Sequence, residues 1–315
     1  MAGGEVAKRS GDFGEKIVKN LIELIGWKNN ISNIGINCVH EDKHKLPDSE
    51  KRIKHGIDFI FQYKCPLKNS IQQNVIVSSK HRDGYPATSK GKKTKFKEFL
   101  YDIAYAIECF PVSEQFRNKT PGTTKKELTG VIFWIDSSEE QKGNGVVDDI
   151  ADFRLTEDLD YKTVFLVDNK RADFLYDSIK FAHNTYGEEN VEFFYIDTGY
   201  NNCGLARNYS GKVLPVEYIN ADVLPFKVKD KNNGDVLLLA VNDIFNEDYL
   251  KRLIGLSQDL TKTWPAKIVI AFPDFNLYHH ESNVNAAKQQ FEDNEFVSKI
   301  DIKCFKPNFR SMQEE

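Results

Sequence analysis

The sequence predicts an α/β protein in two bodies: an N-terminal αβββαβ core over residues 1–140, followed by a second layered α/β domain over residues 150–315. Three observations carry this reading. As far as Ile135, apolar periodicity passes from helical spacing through three strand-like runs and then through one more helix and strand. Beyond a Ser, Glu, Gly and Asp-rich stretch from Asp136 to Asp152, read as a linker, short apolar runs alternate with helical patterns, the rhythm of a largely parallel sheet. The 315 residues are 40% hydrophobic, 29% charged and 12% aromatic, which supplies a sizeable core and gives no signature of disorder.

The first helix is expected to start at Ser10 as N-cap, to carry Phe13, Ile17, Val18, Leu21, Ile22 and Ile25 at helical spacing, and to close at Gly26. Glu15 then lies near the helix start, where the dipole favours an acid. Strands follow at Ile31–Val39 and Ile57–Tyr63, with Pro66 ending the second. A third runs through Val75, Ile76 and Val77 into Ser78, Ser79 and Lys80, and Gly84, Tyr85 and Pro86 form a loop. The next helix bears Phe96, Phe99, Leu100, Ile103, Ala104 and Ile107 on one stripe, behind the basic run Lys90, Lys92, Lys93, Lys95 and Lys97. Val131–Ile135 is a buried strand. The second body has strands at 164–167, 191–196, 236–241 and 268–272 and helices at 172–186 and 247–260.

A net charge of -4 and a pI near 6.0 exclude a protein that coats nucleic acid by overall charge, so any contact with DNA or RNA must use a local patch. The five cysteines are scattered and never in C-x-x-C spacing, which argues against both a disulfide framework and a zinc site. The first residues lack the apolar stretch of a signal peptide and no apolar run approaches membrane-spanning length, so a reducing, cytoplasmic setting without membrane attachment is expected.

Three short stretches carry the chemistry: Gly11-Asp-Phe-Gly-Glu15, His55-Gly-Ile-Asp58 and Val77-Ser-Ser-Lys80. They place one carboxylate on a helix, a second on a strand and a lysine on the following strand. Hairpin pairing of those strands brings Asp58 and Lys80 to one end of the sheet. Two carboxylates there can ligate Mg²⁺, which takes oxygen ligands and keeps waters of its own. Lys80 can orient an attacking water or neutralise transition-state charge.

The order and the motifs resemble the PD-(D/E)xK, or restriction-endonuclease-like, superfamily, whose αβββαβ core has an acid on the second strand and an acid-x-lysine on the third. Asp58 matches the first acid and Lys80 the lysine, while Ser78 stands where that family usually has Asp or Glu. Branches with a G-x-x-G-E-like first helix, the Mrr-like and Holliday-junction-resolvase-like ones, place an extra glutamate at the metal, and Glu15 matches it. The resemblance implies a Mg²⁺- or Mn²⁺-dependent nuclease with Glu15, Asp58, Ser78 and Lys80 as its site, and Glu15, Asp58 and the Ser79 carbonyl as metal ligands. The wider string, which adds Val167-Asp-Asn-Lys-Arg171 and Leu214-Pro-Val-Glu-Tyr218, resembles the A subunit of a two-gene GAPS-series anti-phage defence system. That implies DNA or RNA as substrate, a partner protein subunit and a hetero-oligomer or dimer. Ser78 in place of an acid keeps open a second reading, a nuclease-like scaffold that binds DNA or a partner without cutting.

Other residues have weaker claims. His55 and His81 flank the motifs and read as solvated loop histidines that can also touch phosphate. His81 with Lys90, Lys92, Lys93 and Lys95 forms the expected nucleic-acid-binding set, although a lysine run is as often a solvated face. Tyr63 reads as core, and Asp168 with Asn169 as a helix cap. With neither G-x-G-x-x-G nor G-x-x-x-x-G-K-[ST] present, an enzyme run from a nucleotide site in the second body ranks last. That body is expected to recognise a partner or nucleic acid, with the polar loop Thr198–Gly204 and Glu217 as unspecific candidates.

Overall fold

The computed structural model describes residues 2–45, 50–82, 84–138, 144–155, 159–161, 163–202, 207–231, 234–261 and 264–306. They fall into two compact units, one of residues 1–173 with 215–220 and the other of 174–214 with 221–315. Among the described residues no helix is long and apolar enough to cross a membrane.

The first unit opens with helix α1 (Ala2–Leu24). Glu5 to Arg9 contain no helix breaker, so the helix begins well before Ser10; Ser10 is internal, and Glu15 sits mid-helix, away from the terminal dipole. The helix does close at Gly26, at φ 84°. The Trp27 N–H reaches the Ile22 carbonyl at 2.8 Å and the Gly26 N–H reaches Glu23 at 3.1 Å, the paired bonds of a Schellman cap. Val18, Leu21, Ile22 and Ile25 are buried along one face, and Trp27 stacks on Phe61. Burying each such side chain contributes about 1.5–3 kcal/mol.

Strands β1 (Ile31–Asn37), β2 (Lys54–Lys64), β3 (Ile71–Arg82), β4 (Lys125–Asp136) and β5 (Val164–Val167) form one sheet in that order. The pairs β1–β2 and β2–β3 are antiparallel, β3–β4 and β4–β5 parallel. Helix α2 (Ser89–Cys109) is the crossover between β3 and β4; Thr88 caps it by accepting from the Gly91 N–H. Its apolar stripe packs on Ile60, Ile76, Ile132 and Trp134. The expected helix, three strands, helix, strand order is therefore present, extended by two short helices, α3 (Glu114–Arg117) and α4 (Val147–Ile150), and by β5.

The boundary between bodies differs from the expected one. Val146 and Ile150 belong to the first unit's core, and β5, expected to open the second body, pairs with β4 instead. Short apolar residues hidden in the Asp-rich stretch of 144–152 make that segment pack; residues 139–143 lie outside the described ones.

The second unit holds most of α5 (Asn169–Tyr186), strands β6 (Val191–Phe194), β7 (Ser210–Gly211), β8 (Val223–Asp230), β9 (Gly234–Val241), β10 (Lys267–Phe272) and β11 (Ile300–Cys304), and helices α6 (Glu247–Thr261), α7 (Leu277–Lys288) and α8 (Asn294–Ser298). Its sheet runs β11-β10-β9-β8-β6-β7. It is mixed rather than largely parallel: helical crossovers keep β9, β10 and β11 parallel, whereas the tight β8–β9 hairpin ending at Gly234 makes that half antiparallel.

Two glycines of the first helix have opposite roles. A Cβ on Gly14 would lie 2.0 Å from the His81 Cβ, so glycine is what lets α1 approach the end of β3; a Cβ on Gly11 meets nothing within 4 Å. Gly14→Ala should cost about 1–3 kcal/mol by overpacking. Gly11→Ala should gain up to about 1 kcal/mol through helix propensity. Urea titration of the two variants checks both signs.

Candidate active site at the β2–β3 fork

Strands β2 and β3 pair from Lys64↔Gln72 to Phe59↔Val77 and then part. Beyond that fork, the Ser79 N–H donates to Asp58 Oδ2 at 2.6 Å, so the carboxylate takes the place a ladder carbonyl would fill. Ile57 and Ile60 both join the α2-side core, so strict alternation is broken across Asp58 and Phe59. Opposite Asp58 on β1, Asn33 has φ 53° and lies between the Ser32↔Phe59 and Ile34↔Ile57 pairs. Asparagine tolerates that left-handed conformation.

Glu15 arrives on α1 from the other side, held there by the Gly14 contact with His81. Its carboxyl bonds the Asn33 side chain; burial first, then Asp58, pushes its pKa above the ordinary carboxylate range. Burial also raises Asp58, against the Ser79 N–H and the Lys80 charge. The two acids thus lie within electrostatic reach of each other, and Asp58 within reach of Lys80.

Ser78 and Lys80, two apart on β3, share the α2 face with Ile76. Ser78 is nearly buried. The Lys80 ammonium lies 3.1 Å from Asp102 Oδ2 and over the Phe99 ring, both on α2. Arg52 completes the group, with its guanidinium 2.6 Å from Asp102 Oδ1. Although burial opposes it, Lys80 and Arg52 hold the Asp102 carboxyl below its usual range. Asp102, Arg52 and Asn33 carry no motif. The one sequence signal was an acid, Asp102, set between Leu100 and Ile103 on the helix's apolar stripe.

The donors around the fork are oxygens: the Glu15 and Asp58 carboxylates, Ser78 and the backbone at Ser79. Two carboxyl groups, both raised chiefly by burial and beside uncharged oxygens, form an oxygen donor set of the kind a hard divalent cation takes, so the residues fit Mg²⁺ or Mn²⁺.

Other expected residues fall elsewhere. His81 stands beside the fork, its ring edge-on to Phe13 and its Nε2 2.7 Å from Ser137 Oγ. Lys92, Lys93 and Lys95 are ion-paired with Asp149, Asp152 and Glu98, each at 2.6 Å, while Lys90 is exposed. Their charge is spent largely within the unit. His55 is not a solvated loop histidine: it lies on β2 with no exposure, because β2 begins at Lys54, and burial depresses its pKa to about 4. Tyr63 is core, accepting from the Val216 N–H. Asp168 caps α5 through the Arg171 N–H. Glu217 pairs with Lys68 at 3.2 Å, and Asn201 ties down its loop through the Ile196 carbonyl; Cys203 and Gly204 lie outside the described residues.

A carboxyl whose pKa is higher folded than unfolded favours folding below that range and opposes it above. Asp58→Asn keeps an acceptor for the Ser79 N–H and removes the buried charge. It should therefore raise the melting temperature at pH 7 without added Mg²⁺, a gain that shrinks as pH falls through the raised Asp58 range; thermal melts across pH check this. Asp102→Ala leaves Lys80 and Arg52 unneutralised, and should cost about 1–2 kcal/mol in urea titration, given that the site is partly exposed.

No curated relative and no solved structure matches the chain. Residues 1–171 match the family described as GAPS4 protein PD-(D/E)XK nuclease domain, a span that ends beside the Asp173 boundary of the first unit. Because that match covers more than half of its 315 residues, the chain belongs to this GAPS4 PD-(D/E)XK nuclease family.

Proposed function

We propose that the chain is a Mg²⁺-dependent nuclease subunit that hydrolyses phosphodiester bonds, of DNA in the first place, in bacterial anti-phage defence alongside a partner subunit. The observation that carries this reading is the meeting of Glu15 and Asp58 at the fork where Lys80 is presented. When bound, Mg²⁺ supplies polarisation of a phosphate oxygen and a lowered pKa for a bound water.

The chain's own residues then have separable tasks. Glu15 and Asp58 offer the two charged ligands, and the Ser79 N–H fixes the Asp58 carboxylate in one orientation. The Ser79 carbonyl leaves the strand on the same side as its N–H, toward the fork, and so serves as a third, uncharged ligand. Ser78 adds no charge where an acid is usual; Glu15 makes up that deficit. Lys80 donates toward the attacking water or the phosphate, with Asp102 and Arg52 holding its ammonium in reach. Because Lys92, Lys93 and Lys95 are already paired, nucleic-acid binding along α2 exchanges protein carboxylates for phosphates. The second unit is assigned to recognition of a partner or of nucleic acid.

The test is incubation of the purified chain, with and without the protein encoded beside it, on linear, circular and single-stranded DNA and on RNA, with Mg²⁺ or EDTA. Cleavage should require Mg²⁺ and fall by about 100-fold or more in Asp58→Ala and in Lys80→Ala. Undiminished cutting by a folded Asp58→Ala protein would overturn the assignment. Specific DNA binding with no cleavage under any condition favours the scaffold reading that Ser78 allows.

A further inference from the structure

Outside the carboxylate fork, the first unit gathers four soft metal ligands. Cys38 follows β1, His44 lies in the β1–β2 connection, His55 is on β2 and Cys109 ends α2. One ligand atom from each of the four lies within 4.8 Å of the other three, and all four residues are buried. His44 Nδ1 is 3.4 Å from Cys38 Sγ, 3.4 Å from His55 Nε2 and 3.5 Å from Cys109 Sγ; the two sulfurs are 4.0 Å apart.

The three separations from His44 Nδ1 match the edges of a zinc tetrahedron, and the sulfur–sulfur distance is a few tenths of an ångström longer. Zinc bonds of about 2.3 Å to sulfur and about 2.0–2.1 Å to nitrogen put ligand atoms about 3.3–3.8 Å apart. The His44 tautomer fits as well. Its Nε2 lies 2.9 Å from Glu108 Oε2, so the proton sits there and the Nδ1 lone pair faces the cluster. Cys38 Sγ, His55 Nε2 and Cys109 Sγ all lie within 3.5 Å of that one nitrogen. The Val39 N–H points at Cys109 Sγ at 3.4 Å, a bond that supports a thiolate. Glu108 is in turn fixed by Lys43 and the Asp160 N–H.

We propose that Cys38, His44, His55 and Cys109 form a closed Cys₂His₂ site for one structural zinc ion. Two thiolates and two neutral imidazoles around Zn²⁺ sum to zero charge, which suits a buried location. Sulfur and nitrogen donors exclude Mg²⁺, and four protein ligands leave no open position for catalysis. The ion would staple the end of β1, its connection to β2, the start of β2 and the end of α2. His55 lies three residues before Asp58, and Cys109 about two helical turns beyond Asp102, so the staple fixes both supports of the fork. The ligands show no C-x-x-C spacing because they come from four separate stretches of the chain.

Elemental analysis of the full-length chain, purified from zinc-supplemented medium, should find about one zinc per chain. Cobalt(II) in its place should show the strong visible bands of a tetrahedral thiolate site. Glu108→Gln, which leaves all four ligands, should weaken zinc binding about 10–100-fold; His44→Ala should remove the ion. The proposal is overturned if wild-type protein with reduced thiols holds less than about a tenth of an equivalent of zinc and gives only weak octahedral cobalt absorption, or if mass spectrometry finds Cys38 and Cys109 joined as a disulfide. None of these measurements involves nucleic acid, so they stand or fall apart from the nuclease reading.

Discussion

The bond from the Ser79 N–H to the Asp58 carboxylate is the constraint around which the first unit's end is arranged. A strand that leaves its ladder must find another partner for each exposed backbone group. Here the partner is a side chain, the Asp58 carboxylate. Asn33 in a left-handed conformation and the broken alternation at Asp58 and Phe59 are the local distortions that accompany it. A regular hairpin would have placed a carbonyl where the carboxylate now sits.

Charge on the two sides of the sheet is handled differently. On the α1 side Glu15 meets Asp58, both pushed toward the protonated form. On the α2 side Asp102 balances Lys80 and Arg52 and is held ionised. The site therefore combines two carboxyl groups raised chiefly by burial with a lysine held by the Asp102 carboxylate. Such opposed environments let two acids with raised pKa values and a carboxylate held ionised stand at the end of one sheet.

Hard and soft donors are segregated within the first unit. Carboxylate and carbonyl oxygens converge at the fork, sulfur and imidazole nitrogen at the Cys38 to Cys109 cluster. The two sets share β2, which carries both His55 and Asp58, while α2 links Cys109 to Asp102, the residue that holds Lys80.

The sequence by itself determined the succession of elements, the Gly26 stop and the three motifs, because apolar periodicity, a glycine cap and short fixed spacings are local properties. Glu15, Asp58 and Lys80 were legible for that reason, and so was the missing acid at Ser78. Tertiary structure alone decided what those residues touch. Asp102 and Arg52 are 50 residues apart, and Cys38 and Cys109 are 71 apart, so no window along the chain could pair them. The packing of Val146 and Ile150, the pairing of β5 with β4 and the antiparallel half of the second sheet were likewise settled by which partner surfaces were available, a long-range property that local pattern does not encode.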